Sequence, residues 1–352
     1  VLIALVISVQ APESGDTVVH TFSLLHMSDP ANFIFGSILN PDDAWLIGSQ
    51  TARWWAFLLL FIGFAIKLPA VPLHTWLPDA HVEAPTPISV ILAALLLKVG
   101  AYGLLRIAYP IFPDAAMELS SVVAFVGVLS IIYAALNALA AKDLKRLIAY
   151  SSVSHMGFVL LGLASLTVEG ISGAVYQMFS HGLISAMLFL IAGVLYDRTH
   201  DRLINNYSGL TSKMPVFFVF VLIAFFASLG LPGFSGFIAE LMVLLGALAS
   251  GSTNELISEG FAFAAAFGLI LGAAYYLWTL QRMFFGPFHV KNGIRTELLT
   301  DLDRREFGML ISLALLILIF GIFPQVLLDY INPFAQNFSD TLTESLRFIQ
   351  NP

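Results

Sequence analysis

Lys67, Lys98 and Glu240 each lie inside a long apolar run, where a charged side chain has no water to face. Placing such a charge in hydrocarbon costs about 2.5–3.5 kcal/mol on insertion scales, and more where it stays unpaired. Burial weakens a side chain's hold on its charge, so a lysine or glutamate there exchanges a proton near neutral pH. His155, in SSVSHMGF, and His181, in QMFSHGLISA, add rings suited to passing protons between such groups. The chemistry these residue types share is the relay of protons or small cations, with Lys67, Lys98, His181 and Glu240 as its main carriers. His155, Ser151, Ser154 and Tyr133 are further relay candidates, able to hold hydrogen bonds or water between the charges. The plainer readings are lysines snorkelling to an interface, a structural Lys–Glu pair, and histidines satisfied within a packed core. From mid-run a lysine stem reaches only part of the way out, which favours the relay.

The elements that carry these residues must span a membrane. Hydrophobic residues make up 58% of the 352 and charged residues 11%, against about 25% charged in an ordinary soluble domain. Too few charges remain to cover a globular surface. Crossing hydrocarbon takes about 20 apolar residues per helix. Eight such runs follow one another at 53–79, 87–109, 117–141, 147–166, 171–196, 214–249, 261–285 and 307–330. The expected fold class is all-α and polytopic. Residues 1–10 read as the end of a truncated transmembrane helix, because VLIALVISV is apolar but too short to cross and no basic segment precedes it. Residues 11–52 read as an external loop, 53–330 as the transmembrane domain and 331–352 as an external or interfacial tail.

Basic residues set the expected sides. Lys142, Lys145 and Arg146 follow the third run, Arg198, Arg202 and Lys213 the fifth, and Arg282, Lys291, Arg295, Arg304 and Arg305 the seventh. Only Arg53, Arg106 and Arg347 fall on the opposite side, together with Glu13, Asp16, Asp29, Asp42, Asp43, Glu255 and Glu259. The excess of Lys and Arg places the first group of loops in the cytoplasm and the C-terminus outside.

Two runs are interrupted in a matching way. The first reads FAIKLPAVPLHTWLPDAH with Pro69, Pro72 and Pro78, and the sixth reads ASLGLPGFSGFIAEL with Gly230, Pro232, Gly233 and Gly236. Proline removes a backbone donor and glycine loosens the helix. Unwound backbone at membrane depth survives only inside protein or against a wet cavity. A pair of Pro/Gly-broken spans in corresponding positions points to inverted repeats around a midplane site. The breaks are expected at Pro69 and Pro72 and at Pro232 and Gly233, with Lys67 just before the first and Glu240 just after the second.

Several chemistries are excluded or disfavoured. Cysteine is absent, so there are no disulfides, thiolate metal sites or cysteine nucleophiles. No dinucleotide, Walker, haem or iron–sulfur motif occurs. His74, Asp79, His81 and Glu83 lie in a Pro-rich stretch without metal-ligand spacing. No metal or cofactor site is expected in this chain.

Long segments resemble one family. HTWLPDAHVEAPTPISVILAALLLKVGAYGLLR (His74 to Arg106), KDLKRLIAYSSVSHMGFVLLG (Lys142 to Gly162), FSHGLISAMLFLIAGVLYDR (Phe179 to Arg198) and LPGFSGFIAEL are similar to the antiporter-like subunits of respiratory complex I and of Mrp antiporters. Glutamate at 240 resembles the M-type subunit, where L- and N-type subunits usually carry lysine. The resemblance implies two inverted five-helix bundles that translocate protons, driven by quinone reduction elsewhere in the complex. It casts Lys67 as the broken-helix lysine of the first bundle, Lys98 as the connecting lysine, His181 as the axis histidine and Glu240 as the terminal ionisable group. The glutamate partner expected for Lys67 would precede Val1. Also implied are L-type and N-type partner subunits, flavin, iron–sulfur clusters and quinone in partners, and a bacterial inner membrane. A subunit of an Mrp sodium/proton antiporter and a membrane subunit of a related hydrogenase are the competing expectations.

Overall fold

The computed structural model describes residues 1–11, 19–41, 45–254, 256–291 and 299–350. Glu13, Asp16, Asp42, Asp43, Glu255 and Arg295, used above to assign sides, lie outside the described residues, as does the side chain of Arg347. A short helix α1 (Leu2–Ser8) comes first, and α2 (Ala52–Lys67) and α3 (Trp76–Glu83) follow further along the chain. The apolar series continues as α4 (Thr86–Ile111), α5 (Ser120–Ala140), α6 (Leu144–Ser165), α7 (Val168–Thr199), α8 (Pro215–Ser228), α9 (Ser235–Ser252), α10 (Glu259–Phe284) and α11 (Arg304–Ile322). A last helix, α12, covers Gln325–Gln350. Seven of these, α4 to α7 and α9 to α11, are each long and apolar enough to cross a membrane. The pairs α2–α3 and α8–α9 are the halves of the two interrupted spans.

The eighth run was expected to continue to residue 330, but α11 stops at Ile322. Pro324 is the reason, since its ring pushes Phe323 out of helical geometry and forces the chain to restart as α12. The apolar face of α12 then packs back on the bundle, with Leu328 and Ile331 against Tyr176 and Ala239.

α6 sits at the centre, and nearly every residue along it is buried. Its start is fixed by Asp143, whose side chain accepts from the Arg146 amide. Glycine lets its neighbour come close: a Cβ on Gly157 would lie 2.5 Å from the Gly127 carbonyl of α5. Small residues at such a crossing are how helices pack where lipid gives no hydrophobic drive.

Each break satisfies its own backbone. At the first, the Val71 amide donates to Ser130 Oγ of α5 at 2.9 Å, and the Trp76 ring N–H takes the Ile66 carbonyl at 2.8 Å. At the second, Gly230 and Gly233 turn the chain with φ of +74° and +98°, a region where only glycine is at ease. The Leu231 amide reaches back to the Phe226 carbonyl at 3.0 Å.

Basic residues at one end of the bundle hold backbone together. Arg202 donates to the Val82 carbonyl at 2.6 Å and Lys145 to the Ala84 carbonyl at 2.9 Å. Both carbonyls belong to the end of α3, which lacks helical donors there. Arg198 pairs with Glu306 through two bonds of 2.8 and 2.7 Å, tying α7 to α11.

Candidate functional site

Lys98 stands between two π-helical turns of α4, at Leu92–Leu96 and Leu104–Ala108. The wider turn leaves the Ala93 carbonyl, five residues back, within reach of Lys98 Nζ at 2.6 Å. The same nitrogen meets Nδ1 of His181, from mid-α7, at 2.7 Å. An ammonium has only donors, so when Lys98 is charged the His181 Nδ1 must be a bare acceptor.

The rings of His181 and His155 lie 5.4 Å apart. His155 is supplied by α6 and Glu240 by α9, and both are buried. Glu240 Oε1 is 3.2 Å from His155 Nδ1. Gln177 Nε2 approaches the same ring nitrogen at 3.3 Å, while His155 Nε2 faces Ser228 Oγ at 3.1 Å. A cavity of about 10 Å³ is enclosed by His155, Gln177, His181, Ser228 and Glu240, among others. That is room for about one water. The carboxylate rests against the second break: a Cβ on Gly230 would fall 2.4 Å from Glu240 Oε2. The unwound segment therefore makes the space the carboxylate occupies.

Four ionisable groups from four helices thus form one line, Lys98–His181–His155–Glu240. Each neighbour in it is close enough to pass a proton directly or through one water. His155, a secondary candidate by sequence, is its central member. Lys67 is not brought into the line. It lies half-buried with Nζ 5.6 Å from the Trp76 ring, and no carboxylate approaches within salt-bridge distance among the described residues. Ser154 is spent on α5, donating to the Ile131 carbonyl at 3.0 Å. Tyr133 is half-exposed and packs its ring 5.3 Å from that of His74. Ser151 joins through a route that the sequence did not suggest: Ser228 Oγ meets Tyr276 OH at 2.7 Å, and Tyr276 OH meets Ser151 Oγ at 3.0 Å. Ser228 and Tyr276 carried no signal of their own, being ordinary polar residues of apolar helices. The Pro-rich cluster is dispersed. His81 is buried, stacked on Phe189 at 4.2 Å, while Asp79 pairs with Arg146 at the surface.

A mostly helical bundle with seven helices long enough to cross a membrane, two broken spans and a buried line of Lys, His and Glu has the architecture of an antiporter-like membrane subunit. Residues 22–267 match the NADH:quinone oxidoreductase/Mrp antiporter transmembrane family, and the chain belongs to it. NADH-quinone oxidoreductase subunit M of Rickettsia bellii (strain RML369-C) is 44% identical over 321 residues, covering 91% of this chain and 61% of that protein. NADH-ubiquinone oxidoreductase chain 4 of Chondrus crispus is 46% identical over 297 residues, 84% of this chain and 58% of that one. The fold matches a chain in respiratory complex I from Thermus thermophilus with bound NADH, with a TM-score of 0.75, 34% identity, and coverage of 91% and 66%. A chain of the Mrp complex from Dietzia sp. DQ12-45-1b shares the fold at a TM-score of 0.74 and 23% identity, covering 83% and 60%. The chain spans about three fifths of the length of the curated relatives it matches. Its M-type character, expected from Glu240, agrees with the name of the Rickettsia relative.

Proposed function

We propose that this chain is a proton-translocating membrane subunit of an NADH:quinone oxidoreductase, of the M type. The observation that carries the reading is the buried line from Lys98 through His181 and His155 to Glu240, with its contacts of 2.7 and 3.2 Å and the 5.4 Å gap between rings. Charge added at one end changes the proton affinity of the next group by Coulomb interaction in a poorly screened interior. A proton can therefore move along the line without any redox group in this chain. The basic loops face the cytoplasm and α12 lies on the outer side of a bacterial inner membrane, with 53–330 as the translocating domain. L-type and N-type subunits are the neighbours in the assembly, and flavin, iron–sulfur clusters and quinone belong to other subunits. Lys67 serves the first half of the path. Similarity to the named relatives over most of this chain supports the reading.

The test substitutes Glu240→Gln and Lys98→Ala separately in the full complex. NADH:quinone turnover and proton uptake are then measured in sealed vesicles. Loss of both, with assembly and cofactors intact, supports the reading. Pumping near the wild-type level in both variants refutes it. Proton movement driven by a sodium gradient, with no NADH dependence, would assign the chain to an Mrp-type antiporter instead.

A further inference from the structure

His155 has both ring nitrogens engaged, and on its Nε2 side the bond from Ser151 to a backbone carbonyl favours one direction of hydrogen counting. Ser151 Oγ donates its hydrogen to the Ile148 carbonyl at 2.8 Å, so toward Tyr276 it can only accept. Tyr276 spends its one hydrogen on Ser151 and must accept from Ser228 at 2.7 Å. Ser228 has then spent its own hydrogen and must accept, at 3.1 Å, from His155 Nε2–H. The direction is set by a backbone carbonyl, which never donates. Nδ1 faces two groups, Glu240 Oε1 at 3.2 Å and the Gln177 amide. Gln177 presents its amide Nε2, a donor, to Nδ1 at 3.3 Å. A donor placed there suits a ring whose resting proton is on the other nitrogen.

We infer that the hydroxyl line Ser228–Tyr276–Ser151 fixes the tautomer of His155, holding a permanent proton on Nε2 and reserving Nδ1 for the proton exchanged with Glu240. This deepens the relay reading and rests on it. In the exchange, the Nδ1–H bond of the imidazolium breaks and an O–H bond forms on Glu240 Oε1, 3.2 Å away. Both groups end neutral, and no electron changes hands. Gln177 then donates to the vacated Nδ1 lone pair, which holds the ring in place for the return step. The hydroxyl line is not itself a conduit, because it ends on a carbonyl inside α6. Tyr276 is a positioning residue: it acts through His155 and touches neither Glu240 nor Lys98 by a hydrogen bond among the described residues.

The inference is tested in the full-length protein within its native membrane complex. Tautomer-sensitive ring vibrations of His155 are isolated by infrared difference spectra of histidine-labelled protein against His155→Gln. The neutral wild-type ring shows the Nε2–H form alone. Tyr276→Phe frees Ser228 to donate, and Ser151→Ala frees Tyr276 to reverse, so each variant shows both tautomers. Thr279→Val, one turn away and bonded to the Tyr275 carbonyl, leaves the spectrum unchanged. Proton uptake falls several-fold in Tyr276→Phe, since a neutral ring resting as the Nδ1–H form has no free Nδ1 lone pair to take a proton from Glu240. A single Nε2–H form persisting in both hydroxyl variants overturns the inference. A tautomer mixture supports it even if Glu240→Gln pumps normally, because the spectrum reads the ring and not the pump.

Discussion

Replacing Gly230 by alanine separates the position of Glu240 from the stability of the second break. The added Cβ falls 2.4 Å from Glu240 Oε2, and ordinary contact begins at 3.4 Å, so the carboxylate must retreat by about 1 Å. Its 3.2 Å approach to His155 does not survive such a shift. The backbone there also has a φ of +74°, which costs a non-glycine residue about 1–3 kcal/mol. Gly233 supplies the control. Its φ is +98°, yet nothing lies within 4 Å of an added Cβ. Gly233→Ala therefore carries the strain without the displacement. The strain is modest beside a typical stability of about 5–15 kcal/mol, so both variants assemble. A misplacement of about 1 Å at a reacting group costs on the order of 10²-fold in rate. Proton uptake in sealed vesicles, normalised to NADH oxidation by an artificial acceptor, should fall by roughly that factor in Gly230→Ala and stay near wild type in Gly233→Ala. Equal uptake by the two variants would refute the claim that Gly230 makes room for the carboxylate.

Other substitutions test the frame around the line. Gly157→Ala drives a Cβ to 2.5 Å from the Gly127 carbonyl, so thermal stability of the purified complex falls by about 1–3 kcal/mol, as read from its melting profile. Arg53 is buried and donates to Asp114 and to the Leu39 and Ile111 carbonyls. Arg53→Met then costs about 3–5 kcal/mol, and Arg53→Lys fails to restore it because an ammonium lacks the planar fork; a Lys variant as stable as wild type would contradict this. Burial pushes the Tyr207 phenol, in the loop after α7, up to about 12. The folded loop holds that proton after the unfolded chain has lost it, so its stability is complete below about pH 10 and is lost as pH rises toward 12. Hydrogen exchange of residues 199–208 should accelerate over that range, and Tyr207→Phe should flatten the dependence.

The spans were legible because apolar runs of the required length announce themselves, and Pro and Gly marked where two of them part. Pro324 was equally visible, but an apolar stretch on both sides of it masked the end of α11. The charged members of the site were legible for a thermodynamic reason: Lys98 and Glu240 are expensive in hydrocarbon, so their presence is itself a signal. Lys67 sent the same signal, yet among the described residues it lies over the Trp76 ring and stays apart from the line. Ser228 and Tyr276 sent none. Hydroxyls are cheap enough in helices that their presence says nothing, and only packing shows that α8 brings Ser228 to His155 and α10 brings Tyr276 to Ser228. Tyr133 looked equivalent to Tyr276 in sequence, but it points toward His74 and the bundle surface.

The encirclement of α6 bears on how the protein is made. This helix carries Ser151, Ser152, Ser154 and His155 on a wall that protein covers on every side. Two of the helices that cover it, α9 and α10, are synthesised after it. Until they arrive, His155 lacks the Glu240 carboxylate and Ser151 lacks the Tyr276 hydroxyl that face them in the finished bundle. Membrane integration of α6 therefore waits on its later neighbours, and the insertion machinery must shelter it meanwhile. Damage to α9 or α10 would then surface first as a shortage of protein in the membrane, before any change in the protons it moves.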